Sequence, residues 1–292
     1  MDDVPVLFYE AVCSSRLGMN PISECRQLSG LFGELAVDAF DNMALRYVVI
    51  KNGKFSDLGY FSQFIKIDNA LLKFKKKVTR KHHVYTSIFV SADSDEYSTD
   101  PAALEELSAA TKGKHVVLRL NSSNMSKELE KWIESIQFCF VLKVASDLPR
   151  IPDSLIQKKT LFQLHFNGGN EISDAAANQL LQLLKQDQFI GASLSGFSVS
   201  NLSKLIAGWN ESANRSEMTR RNIWCKQKCN QQTAHELGFR KCTEEEKRFI
   251  YEPTYSRMWH NAEEFFVKIE GNARVYCILL ASFSYQTLLV FA

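Results

Sequence analysis

Four stretches in the middle of the chain, Val116 to Leu120, Phe138 to Val144, Leu161 to Phe166 and Phe189 to Leu194, are apolar or alternating runs of strand length. Each reads as a buried or half-buried β-strand. Each is followed by apolar residues at helical spacing: Leu129, Trp132, Ile133 and Ile136, then a short Pro-flanked piece at Asp153 to Ile156, then Leu180, Leu181 and Leu184, then Leu202, Leu205, Ile206 and Trp209. The centres of the strands, Leu118, Leu142, Leu164 and Ala192, are 24, 22 and 28 positions apart. A unit of that length holds one strand and one helix and cannot bury its apolar face without a neighbour, so the four must stack. Asp100-Pro101 opens a helix just before the series, with Asp as the N-cap and Pro at the first helical position, and Gly113 closes it.

The spacings fall in the range of leucine-rich repeats, although no Asn or Cys recurs at a fixed place in the units. A twisted parallel sheet gives a similar alternation, so the way the units stack stays open. Upstream, Val4, Leu7, Phe8 and Val12, then Leu28, Leu31, Phe32, Leu35, Ala36 and Ala39, mark two helices within residues 4 to 42, interrupted at Gly18 and Pro21. Tyr47 to Ile50 and Tyr85 to Val90 read as strands, and Phe61 to Phe74 as a helix between them. Asn210 to Asn222 is polar and reads as a loop. Glu264 to Glu270, Arg274 to Ala281 and Thr287 to Phe291 then form a β-rich end, turning at Gly271-Asn272 and around Ser284. The expected fold is therefore α/β: a helical segment over 1–45, a leucine-rich-repeat-like strand-helix domain over 46–210 and a C-terminal β-rich unit over 211–292.

Charge and cysteine use narrow the function classes. Lys+Arg 35 against Asp+Glu 33 leaves a formal +2, too balanced for a chain whose main partner is a phosphate backbone or an anionic membrane. Residues 1 to 50 are acidic, with three Arg against seven Asp and Glu. The run Lys73 to Lys81 holds six basic residues, and a solvated helix end accounts for it more simply than a nucleic-acid patch. The acidic N-terminus is unlike a secretion signal, and Val275 to Ala292 carries too many polar residues for a membrane helix. Seven cysteines, an odd number, fit reduced thiols. A soluble protein of the cytoplasm or nucleus is expected.

The first forty residues resemble an F-box. That family opens on a Leu-Pro-like pair, continues with an apolar helix and ends on a helix with a pattern close to Val-Ser-x-x-Trp-x-x-Leu-Ala-x-Asp. Val4-Pro5 stands for the opening pair here. Leu28-Ser29-Gly30-Leu31-Phe32-Gly33-Glu34-Leu35-Ala36-Val37-Asp38 follows the second pattern, with Phe32 in place of Trp. The remainder is similar to the divergent F-box-associated proteins of nematodes, most of all over Leu180 to Trp209. The resemblance implies a substrate-selecting subunit of an SCF-type ubiquitin ligase, without catalytic residues. It implies that Val4, Pro5, Phe8, Val12, Leu28, Phe32 and Leu35 contact the Skp adaptor, and through it the cullin, while another surface takes an unknown protein target. The alternatives are a repeat-type binding scaffold with no ligase role and, less favoured, an α/β enzyme lacking a recognisable motif.

The residues offer little for catalysis. No phosphate loop, His-Glu-x-x-His helix or Gly-x-Ser-x-Gly elbow is present, and Gly168-Gly169-Asn170 lacks the spacing of a phosphate turn. Cys225, Cys229, His235 and Cys242 could close a tetrahedral zinc site. Their intervals of three, five and six intervening residues match no common finger, so no metal and no cofactor is expected. Alternation along the strands places Val117 and Arg119, Val141 and Lys143, Gln163 and His165, and Gly191 and Ser193 on the face away from the buried set. Arg119, Lys143 and His165 are the candidate target-binding residues of that face.

Overall fold

The structure, a computed structural model, describes residues 30, 33–34, 37, 43–62, 82–91, 100–121, 126–145, 151–167, 171–211, 220–251, 262–271, 273–281 and 286–292. It is a mixed α/β fold built on one twelve-stranded sheet. The strands are β1 (Met43–Lys51), β2 (Lys54–Ser62), β3 (His82–Ser91), β4 (His115–Leu120), β5 (Cys139–Ala145), β6 (Gln163–Asn167), β7 (Gly191–Leu194), β8 (Arg221–Cys225), β9 (Arg240–Lys241), β10 (Ala262–Glu270), β11 (Ala273–Leu280) and β12 (Thr287–Phe291). The described helices are α1 (Pro101–Thr111), α2 (Lys127–Ser135), α3 (Asp153–Gln157), α4 (Asp174–Leu184), α5 (Val199–Asn210), α6 (Gln231–Glu236) and α7 (Glu244–Tyr251).

From β1 through β3 to β8 the strands are parallel and lie side by side in chain order, with no reversal. Leu118, Leu142, Leu164 and Ala192, the residues matched by spacing, are register partners on four adjacent strands. Their row is continued by Ile88 on one side and Ile223 on the other, and every member is buried. The same core takes Leu107, Leu129, Leu155, Leu180, Leu205 and Ala234 from α1 to α6. These six helices therefore cover one face of the sheet. Burying a side chain of this size contributes about 2 kcal/mol, so the helix-covered face dominates the stability of the body.

The helix starts follow local chemistry. Asp100, Ser126, Ser173, Ser198 and Asn230 each accept a backbone N–H of the first turn, at 2.7 to 3.2 Å, and such a cap is worth about 1 kcal/mol. At α7 the arrangement is reciprocal: the Glu246 N–H donates to Thr243 Oγ1 and the Thr243 N–H donates to the Glu246 carboxylate at 2.9 Å. Thr243-Glu244-Glu245-Glu246 is thus a capping box, a local signal of a helix start outside the four strand-helix units.

Side-chain amides, buried at Gln179 and Asn201 and exposed at Gln227, tie successive units together. Gln179 on α4 accepts the Ile151 N–H at 2.7 Å and donates to the Ile151 carbonyl at 2.8 Å. Asn201 on α5 donates to the Ile172 carbonyl at 3.0 Å, and Gln227 accepts the Phe197 N–H at 2.9 Å. The role alternates between Gln and Asn at uneven intervals, which is why no fixed repeating residue stands out in the sequence. At one helix crossing a side chain is excluded: a Cβ on Gly208 would come within 2.4 Å of the Leu181 side chain.

Several expectations are corrected. Phe61 and Ser62 belong to β2, which pairs antiparallel with β1, rather than to a helix; the remainder of that stretch lies outside the described residues. The polar stretch Asn210 to Asn222 is not all loop, because α5 runs through Asn210 and β8 begins at Arg221. β8 pairs in parallel with β7. Beyond β8 every pairing is antiparallel, in the order β12, β11, β10, β9. Among the described residues no helix is long and apolar enough to cross a membrane.

Candidate functional site

Residues of the face away from α1–α6 line up in two rows. Val117, Val141, Gln163 and Gly191 are register partners, as are Arg119, Lys143, His165 and Ser193. Three cationic or imidazole side chains that are 22 to 24 positions apart in the chain thus stand on neighbouring strands, about 4.8 Å per step. Period-two alternation puts them on one face, and parallel stacking in chain order puts them abreast. Phe89 on β3 and Trp224 on β8 continue the row at either end.

Arg119, Lys143 and His165 are half-buried rather than splayed into water, and Ser193, Val141 and Gly191 are buried, against the expectation that this whole set faces away from the buried residues. Burial, with the neighbouring Arg119 charge added, lowers the Lys143 ammonium from its ordinary value. Burial, then the charges of Lys143 and Arg119, hold the His165 imidazole down to about 4. The ring is therefore neutral near pH 7, leaving Arg119 and Lys143 as the two charges. Tyr47 on β1 is raised by burial, and Arg119 acts against that shift. All resolved charge effects on Lys143 and His165 come from cations. Among the described residues no carboxylate forms an ion pair with the row, and the buried Arg119 Nε has no hydrogen-bond partner.

Beside the row lies a cavity of about 320 Å³ lined by Gln163, His165, Ile190, Gly191, Ser193 and Trp224, with Ala192 and Asn222. Its origin is compositional: β7 contributes Gly191 and Ser193 to this face, so the sheet dips between the imidazole of β6 and the indole of β8. A Cβ on Gly191 would come within 2.1 Å of the Asn222 carbonyl oxygen, so only glycine lets β8 approach this closely. At the other end of the same strands, Phe140 packs on Phe162 with ring centroids 5.4 Å apart and on His115 at 6.3 Å. The register slips beside Phe140, between Val116 and Val117, so a bulge adds this ring to the alternating pattern.

The remaining candidates fall elsewhere. Val4, Pro5, Phe8, Val12, Leu28, Phe32 and Leu35 lie outside the described residues, as do Lys73 to Lys81 and Gly168 to Asn170. Of the motif-like stretch Leu28 to Asp38, only Gly30, Gly33, Glu34 and Val37 are described, the last three helical. The four metal candidates are not brought together. Cys225 and Cys229 belong to the core under the helices, Cys242 packs in a second core on the opposite face, and His235 is exposed against the Phe266 ring. Cys229 instead meets Cys277, which lowers the Cys229 thiol and raises that of Cys277. Among the described residues no cluster of three or more His, Cys, Asp or Glu could hold a metal ion.

Sequence reasoning missed Trp224 and Asn222 as part of the face, because β8 was hidden at the end of a polar stretch. Within Arg221-Asn222-Ile223-Trp224-Cys225 the signal was the β-favouring pair Ile223-Trp224, weakened by Asn222 beside it. Compared with models of protein families, with curated proteins and with solved structures, the chain gives no match.

Proposed function

We propose that this chain is a non-catalytic substrate-recognition adaptor of an SCF-type ubiquitin ligase. In this reading the F-box-like helical segment at residues 1–45 binds the Skp adaptor, and through it the cullin. The leucine-rich-repeat-like strand-helix body holds the target. The observation that carries the recognition role is the alignment of Arg119, Lys143 and His165 on three adjacent parallel strands, on a sheet face that α1 to α6 leave open. Such a face offers charge, hydrogen-bonding amide and aromatic groups together, the mixture found where protein surfaces read one another. The ligase role is supported by the sequence resemblance over Leu28 to Asp38, in which Phe32 and Leu35 supply the apolar contacts.

Affinity capture of the full chain from native extract tests both halves. The Skp adaptor and a cullin should co-purify, and the double substitution Phe32→Asp with Leu35→Asp should remove both. Arg119→Glu with Lys143→Glu should keep them while losing target proteins. A folded wild-type chain that captures neither ligase component would remove the ligase role and leave a binding scaffold.

A further inference from the structure

The chemistry of the open face specifies its occupant more closely than "a protein". Arg119 and Lys143 stand on adjacent strands as like charges, a pairing that destabilises a sheet unless something of opposite sign lies against it. The chain provides no such group among its described residues, and neither side chain can be relieved by moving fully into water, since both are half-buried. The cavity over Gly191 and Ser193 lies two to three strands further along the same row, flanked by the neutral His165 ring and the Trp224 indole. Its concave, mostly apolar lining suits a compact hydrophobic side chain, whereas the cation pair suits a carboxylate.

We propose that the open face receives an extended acidic protein segment, with an Asp or Glu carboxylate against Arg119 and Lys143 and an apolar or aromatic side chain seated over Gly191 between His165 and Trp224. The separation sets the spacing. From midway between β4 and β5 to β7 is about 2.5 strand steps, or about 12 Å, and an extended chain covers about 13 Å in four residues with both side chains on the same side. The recognised pattern is therefore an acid and a hydrophobic residue four positions apart. Gln163, one row away, is placed to hydrogen-bond the peptide backbone between them. This assignment rests on the reading of the strand face as the target surface, and not on the ligase role.

The test uses the full chain and synthetic peptides of Ser and Thr carrying Glu and Phe four positions apart, in both orders, with Trp224 fluorescence as the signal and Trp224→Phe as the control. Binding should be saturable in one order, and Arg119→Glu with Lys143→Glu should weaken it by about tenfold to a hundredfold. Ser193→Leu, which fills the cavity, should abolish the preference for Phe over Ala while keeping the preference for Glu over Gln. Equal binding of peptides with Glu and Phe three or five positions apart would overturn the spacing. Equal binding with Lys in place of Glu, or no binding at millimolar peptide by the folded chain, would overturn the proposal. Tight binding of single-stranded oligonucleotides that depends on Arg119 and Lys143, with none of the peptides, would assign the row to nucleic acid instead. Capture of the Skp adaptor by the same preparation keeps the two readings apart: peptide binding without that capture sinks only the ligase role, and capture without peptide binding sinks only this inference.

Discussion

One register row crosses two regions that treat it oppositely. In the parallel body it reads Phe89, Arg119, Lys143, His165, Ser193 and Trp224; it then passes into the antiparallel end as Leu288, Ile278 and Phe265. Among the described residues the parallel body has helices on one face only, and its second face carries Arg119, Lys143, His165 and Ser193. At the antiparallel end Cys242 and Ile250 pack on that second face with Leu288, Ile278 and Phe265, forming a separate core. Lys247 of α7 also places its ammonium 5.8 Å over the Phe265 ring. The second face is thus a closed apolar core at the antiparallel end, whereas in the body it mixes buried Val141, Ser193 and Asn222 with half-buried Arg119, Lys143 and His165. Residue character follows cover rather than position in the strand.

The largest effect expected from this contrast is on stability. Ile278→Ala should cost about 2–5 kcal/mol in chemical denaturation, because it empties the closed core between the sheet and α7. If Ile278→Ala proved as mild as a surface change, the second face at that end would be open and the contrast would fail.

An intermediate effect comes from pH. His165 titrates near 4 in the folded chain, against about 6.5 when unfolded. Between those values the unfolded chain binds the proton that the folded chain refuses, so stability is full above about 6.5 and falls as pH drops toward 4. With the ring half-buried and partly screened, the loss is about 1–2 kcal/mol. Denaturation midpoints at pH 7 and 4.5 should show it, and His165→Gln should shrink that difference. An unchanged difference in the variant would place the acid sensitivity elsewhere.

The smallest effect is at Lys143. Lys143→Gln removes a repulsion with Arg119 and opens no closed core, so stability should move by no more than about 0.5 kcal/mol. A loss comparable to that of Ile278→Ala would mean that the cationic row is covered after all.

Much of the body was legible because its signals are local. Apolar alternation located β4 to β7, Asp100-Pro101 located the start of α1, and the 22 to 28 residue spacing picked out the residues that became register partners. Units whose pattern is short or mixed were not legible. β8 is a five-residue strand next to a polar stretch, and its buried Arg221 is held by contacts with the Gln186 and Asp187 carbonyls, at 2.9 and 3.1 Å, about 35 positions away. The amide ties between units were equally hidden, because Gln179, Asn201 and Gln227 share a role without sharing a residue type or an interval.

By itself the sequence determined which segments are strands and helices through most of the body, and which side chains share a face, since a strand's period of two needs no distant partner. Only the tertiary structure decided which face α1 to α6 cover and where the second face also closes into a core. That outcome depends on β8 meeting β12 across more than sixty positions and on α7 returning beneath the antiparallel end. It also decided that Arg119, Lys143 and His165 stand abreast. Strand periodicity is indifferent to the order in which strands pair, and side-by-side stacking in chain order is fixed by burying each unit's apolar face on the next.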